Sequence, residues 1–328
     1  MFNGDVVREL AAQFLALSEK QTATLPLMIG HRLMGNSLLF SGDIAGARAH
    51  FDQAIALYDA APHRPLATQL GDVGVAIFSY RAWALWSLGY PEAALADADH
   101  ALKDARGIGH AATLMVALGY ALPTYIYCGN YEAANAHADE LAALADEKGA
   151  MLWKAVGMLN QGCVSALTGS AANAVQMITA GITAWRSTGT TLWMPLYLPF
   201  LARAYAELGQ FDDAWRSIGE AMTAVETTKE TTSEADIHCI AGEIVLMSPD
   251  PDAAKAQAYF ERALEVARQQ QAKSWELRAV MSMARLWRDQ GKPQQAREPL
   301  APVYGWFTEG FDTRDLKEAK ALLDELHA

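Results

Sequence analysis

Three cysteines and eight histidines are the residues of this 328-residue chain best suited to metal ligation or nucleophilic chemistry. None stands in a spacing that such chemistry needs. Cys128, Cys163 and Cys239 are far apart and odd in number, which fits neither a zinc site nor a disulfide framework. His238 and Cys239 are adjacent but have no partners in sequence, and no His-Glu-x-x-His occurs. His31 reads as a satisfied histidine between helices. No glycine-rich run ends in Gly-Lys-Ser/Thr, Gly71-Asp72-Val73-Gly74 is too short for a dinucleotide fingerprint, and no serine-centred hydrolase elbow is present. The acidic pairs Asp139-Glu140 and Asp146-Glu147 read as solvated outer faces. The chain is therefore expected to be no enzyme and to carry no cofactor and no metal.

The elements that would position binding side chains are set by a rhythm. Gly42, Gly89, Gly129, Gly169, Gly209 and Gly291 recur at intervals of 47, 40, 40, 40 and 82 residues, and an alanine follows each five residues later. A period near 40 flanked by helical segments is the mark of an α-solenoid, in which each repeat packs only on its neighbours. A second series, Gly109, Gly149 and Gly189, falls where each second helix should end. Trp153, Trp193 and Trp275 hold one equivalent position before a first helix and read as packing between repeats. The expected fold is all-α: a right-handed solenoid of about seven helix pairs with a C-terminal capping helix.

Net charge narrows the partners. At −12 the chain is unsuited to nucleic acid or an anionic membrane surface. Residues 111–131 carry no charge but contain Gly119, Pro123 and Asn130 and keep the phase of the repeat, so they read as a buried helix rather than a membrane span. A reducing cytoplasm is the simplest setting for unpaired cysteines. Residues 155–202 contain a single charged residue, Arg186, where the chain's 20% average predicts about ten. Low surface charge favours association, so a protein contact, including self-association, is expected there.

The order small residue, aromatic, Gly, Ala, large apolar, Ala resembles the tetratricopeptide repeat. Gly35, Leu38, Gly42, Ala47, Phe51 and Ala54 carry it in one copy, and Ala82, Leu85, Gly89, Ala94, Ala98 and Ala101 in the next. A degenerate copy with Gly242, Ala256, Phe260 and Ala263 fills the long interval, with extra residues near Pro249-Asp250-Pro251. In that family the first helices line a groove. The resemblance implies groove positions at Arg32, Asn36, Ser79, Trp83, Trp86, Pro123, Cys163, Arg203, Asp236, Glu243, Arg285 and Arg288. Trp83 and Trp86 would serve as aromatic anchors, or else pack between helices. The arginines would hold a carboxylate, or else pair with Asp236 and Glu243.

The two ends depart from the rhythm. Gly4 takes a turn position, so residues 1–22 read as an orphan second helix whose partner would precede Met1, as in the tail of a longer protein. Residues 23–308 form the repeats of one superhelix. Pro299 and Pro302 are expected to disrupt the last second helix, and residues 309–328 to form a cap with Asp312 at its start and Trp306, Phe307 and Phe311 packed beneath. Gly89-Tyr90-Pro91-Glu92-Ala93-Ala94, Gln271–Arg278 and Ala284-Arg285-Leu286 resemble the C-terminal arrays of bacterial regulators bearing adenylate or guanylate cyclase or AAA-type ATPase domains. That resemblance implies a noncatalytic scaffold for a protein or peptide in signalling. The alternative is a small-molecule sensor.

Overall fold

The structure, a computed structural model, describes residues 2–21, 23–60 and 71–327. Sixteen α-helices occur among them. A lone helix α1 (Gly4–Ser18) precedes seven antiparallel pairs: α2 (Thr24–Phe40) with α3 (Ile44–Ala56), α4 (Val73–Ser87) with α5 (Pro91–Ile108), α6 (Ala111–Tyr127) with α7 (Tyr131–Glu147), α8 (Met151–Leu167) with α9 (Ala171–Ser187), α10 (Met194–Glu207) with α11 (Phe211–Thr228), α12 (Glu234–Met247) with α13 (Ala253–Gln269), and α14 (Lys273–Asp289) with α15 (Pro293–Tyr304). Helix α16 (Arg314–Glu325) closes the array. None of these helices is long and apolar enough to cross a membrane.

The glycine rhythm has a backbone cause. All six rhythm glycines adopt φ between 72° and 94°. The following amide then turns back to the carbonyl five residues earlier, as in Tyr90 N to Leu85 O and Gln210 N to Tyr205 O, both 2.9 Å. This bond satisfies a carbonyl that the helix end would otherwise leave unpaired. The alanines five residues on are fully buried, and in three pairs a glycine on the first helix receives a large side chain from the second: Phe51 at Gly35, Ile178 at Gly162 and Phe260 at Gly242. A Cβ at Gly35 would lie 2.5 Å from the Phe51 ring, and one at Gly242 would lie 2.4 Å from the Phe260 ring.

The array winds back onto itself. The carboxyl end of one first helix meets the start of the first helix five repeats later. Phe40 O accepts from Thr231 N at 2.8 Å, Trp86 O from the Ser274 hydroxyl at 2.5 Å, and Cys128 O from Arg314 N at 3.4 Å. Aromatic rings fill the interior behind this seam. Trp86 stacks on Tyr127 with centroids 4.4 Å apart, and both meet Trp275 edge-on. Trp83 packs edge-on against Trp193 and Phe40.

Several details at the ends differ from expectation. Gly4 lies in α1 behind an Asn3 cap rather than in a left-handed turn. Helix α15 runs through Pro299 and Pro302 and ends early instead of breaking at them. The residue before α16 is Thr313, not Asp312, and its hydroxyl donates back to Gly310 O. The cap loop does not rest on the last repeat alone. Glu309 accepts from Ala93 N at 2.9 Å, on the second repeat, while Trp306 and Phe311 stay 38% and 47% exposed.

Two outcomes test this packing. Gly242→Ala should lower stability by about 1–3 kcal/mol, because the buried Phe260 ring must move; an unchanged denaturation midpoint would show that it turns aside freely. Glu230 lines the aromatic interior and accepts the Trp193 amide, which the left-handed Trp193 backbone presents to it. Burial pushes its carboxyl from 4.5 up to about 8. Between those values the folded chain keeps the proton and the unfolded chain loses it. Stability therefore falls as pH rises through that window, by up to ~1.4 kcal/mol per pH unit. Glu230→Gln keeps the acceptor and removes the titration, so its denaturation midpoint should lose less than the parent's between pH 5 and 8; parallel profiles would contradict this.

Candidate ligand pocket between the first helices

Where the superhelix is not covered by its own next turn, four successive inner helices leave a polar recess. Helix α10 contributes Phe200 and Arg203, α12 contributes Asp236, Cys239, Ile240 and Glu243, α14 contributes Arg278, Met281, Ser282 and Arg285, and α16 contributes Arg314, Asp315 and Glu318. On α12 and α14 these are i, i+3, i+4 and i+7, so each helix turns one face to the recess. The recess encloses about 60 Å3. That is room for about four waters at ~15 Å3 each, or for the head of one side chain.

Its charges are paired with one exception. Arg203 bonds Glu207 at 3.3 Å and Glu243 at 3.5 Å. Arg285 donates to Glu318 at 2.7 Å, and Glu318 also receives Arg314 at 2.6 Å. Arg278 donates to Asp315 at 2.7 Å and to Tyr127 O at 3.1 Å. Its guanidinium lies 5.0 Å from the Trp86 and Trp275 rings and 5.2 Å from Tyr127. Asp236 is 7% exposed and has no hydrogen-bond partner among the described residues. Burial pushes its carboxyl up to about 6, against the attraction of Arg278 and Arg203. Its oxygens open into the recess, so the donors they lack are left to a water, an ion or a ligand there.

The structure brings Arg203, Asp236, Glu243 and Arg285 together and disperses the other sequence candidates. Trp83 and Trp86 are 8% and 2% exposed and pack within the interior, the second of the two roles open to them. Ser79 is fully buried and donates to Val75 O. Arg32 and Asn36 lie on α2, away from the recess, each with a buried polar atom lacking a partner. Arg288 sits one turn beyond, bound to Glu325 at 2.8 Å. Cys163 and Pro123 are buried in helices α8 and α6. His31 meets His50 at 3.0 Å between α2 and α3. Arg278 escaped the sequence reading although a signal existed: it follows Asp236 by 42 residues, as Arg285 follows Glu243. Arg314, Asp315 and Glu318 lie on the cap, outside any repeat register.

Among protein families, the tetratricopeptide repeat model matches residues 29–53, which cover most of α2 and most of α3. Curated protein sequences give no match. Several solved structures share the fold. A Rap protein complexed with competence and sporulation factor superposes with a TM-score of 0.65, at 12% identity, over 96% of this chain and 81% of its own. A plasmid-encoded Rap conjugation gene regulator in complex with a Phr peptide gives 0.61 at 11% identity, over 93% and 75%. The apo quorum sensor NprR from B. thuringiensis gives 0.55 at 13% identity, over 92% and 81%. At such identities the likeness is one of architecture: the chain has an all-α, tetratricopeptide-like superhelical fold similar to that of these regulators.

Proposed function

We propose that the chain is a noncatalytic regulator in bacterial signalling that takes a short peptide along its uncovered inner surface. The observation that carries this reading is Asp236, a buried carboxylate without a donor in a recess sized for one side-chain head. The ligand group that suits it is an ammonium or guanidinium, from a basic side chain or a peptide amino terminus. Arg203 and Arg285, each 31–39% exposed at the rim, are placed to meet the peptide's carbonyls or carboxylates. Two of the solved structures that share this fold hold a signalling factor or peptide, which supports the class of ligand. Relay of binding to a cyclase or AAA-type ATPase output domain, as the resemblance of the last repeats implies, is the finer part of the proposal.

A second contact is proposed on the outer surface. Gln176, Thr179 and Thr183 are exposed on one face of α9, within the segment whose only charge is Arg186. An uncharged face of this kind suits a second copy of the chain.

Screening a library of short linear peptides with free termini tests the first proposal. Enriched sequences should carry a basic group, and Asp236→Asn should weaken them at least tenfold, with Arg203→Ala also weakening them. Enriched peptides that bind both variants as well as the parent would overturn it. Light scattering tests the second: the parent should associate, and Gln176→Lys with Thr183→Lys should return it to monomer. A monomer at every concentration would refute self-association through this face.

A further inference from the structure

A second and larger cleft lies on the seam itself and shares no lining residue with the Asp236 recess. It encloses about 620 Å3 and is walled by parts of the chain far apart in sequence. Arg48 comes from α3, Tyr90 from the turn after α4, Arg268 from the end of α13, Lys273 and Glu276 from the first turn of α14, and Trp306 from the cap loop. A volume of this order is that of a small-molecule site.

The chemistry of the walls is cationic, in a chain whose net charge is −12. Three cations face one carboxylate. Glu276 lies at the base, 5% exposed, and receives Arg268 at 2.9 Å and Lys273 at 2.6 Å. Each of these cations retains further N–H donors. Arg48 makes no hydrogen bond among the described residues. Its nearest carboxylate, Asp52, is 3.7 Å away and is bound more closely by Arg81 at 2.8 Å. Aromatic faces hold two of the cations in place: Arg48 lies 5.0 Å from the Tyr90 ring and Lys273 lies 5.5 Å from the Trp306 ring. Helix α14, whose first turn contributes to the wall, starts without a side-chain cap. Its positive end therefore adds to the same field.

We propose that this seam cleft binds a small polyanion: a molecule of metabolite size with two or more negative charges, carried by phosphate or carboxylate groups. Such a ligand bridges Arg48 of the first repeat to Arg268 and Lys273 of the sixth and seventh. It ties one turn of the superhelix to the next, so binding stabilises the closed array. The site is independent of the peptide recess, with which it shares no residue.

Calorimetry and thermal melting of the whole chain with pyrophosphate and, separately, citrate test this, with sodium chloride at matched ionic strength as the control. One of the two anions should bind with one-to-one stoichiometry and raise the melting temperature above the salt control. Pyrophosphate alone points to a phosphate ligand, and citrate alone to a polycarboxylate. Arg48→Gln and Lys273→Gln should each weaken binding at least tenfold while circular dichroism stays that of the parent. Trp306→Phe should remove the fluorescence response that accompanies binding. Melting shifts no larger than those of matched chloride, or affinities unchanged in both charge variants, would overturn the proposal.

Discussion

The guanidinium of Arg278 is the contact on which the closed form of this superhelix depends. It lies 5.0–5.2 Å from the ring centroids of Trp86 of the second repeat, Tyr127 of the third and Trp275 of its own helix, and it donates to Asp315 of the cap. Two neighbouring pairs of helices that the local repeat rules would leave apart, α4 with α6 and α14 with α16, meet at one planar cation. A desolvated cation over an aromatic face is worth about 2 kcal/mol, and removing one partner of a buried ion pair costs about 3–5 kcal/mol. A lysine could not replace it, because a point charge lacks the rigid plane of donors that serves Asp315 and the Tyr127 carbonyl at once.

Around this cation the seam is built from a general weakness of helices. The last carbonyls of each helix lack an intrahelical donor. In an open solenoid, water serves the inner ones. Here the next turn serves them: Leu39 and Phe40 receive Thr232 and Thr231, Trp86 receives Ser274, and Tyr127 and Cys128 receive Arg278 and Arg314. Every one of these bonds but one spans five repeats; that of Arg278 to Tyr127 spans four. Closure therefore also decides where a ligand can go. The inner surface of the first three repeats is filled by rings, and the free inner surface lies on α10, α12, α14 and α16.

The repeats were legible because their causes are local. A left-handed glycine, a capping bond five residues back and a small residue against a large one all fall within 40 residues of one another. The seam was not legible, because it joins residues 151 to 193 positions apart that share no motif. This is why the repeat phase, which places Trp83 and Trp86 on the inner side, leaves them open between ligand anchors and packing, and why only the turn that covers them decides for packing. It is also why the contact of the cap loop with Ala93 of the second repeat leaves no mark in the sequence. The pocket was half legible. Register placed Arg203, Asp236, Glu243 and Arg285 on inner faces, and the same register applied to α14 leads to Arg278 rather than Arg288.

Arg278 also joins the recess to the seam. About a fifth of its side chain remains accessible, on the side facing Asp236, while its other face is turned to the interior. The Asp236 carboxyl is held down chiefly by this cation, against the burial that raises it. A cationic group entering beside Asp236 would bring two like charges to one carboxylate, and Arg278 is the one of the two already committed to holding the turns together. A ligand can shift a conformational equilibrium only through contacts that differ between its states. Of the residues lining the recess, Arg278 makes contacts of that kind to the rings and to the Tyr127 carbonyl, and Arg314 makes them to the Cys128 carbonyl and the Tyr131 hydroxyl; Arg278 is the one of the two whose charge acts most on Asp236. Any coupling between what binds at Asp236 and how tightly the superhelix is wound has its shortest physical route through that side chain.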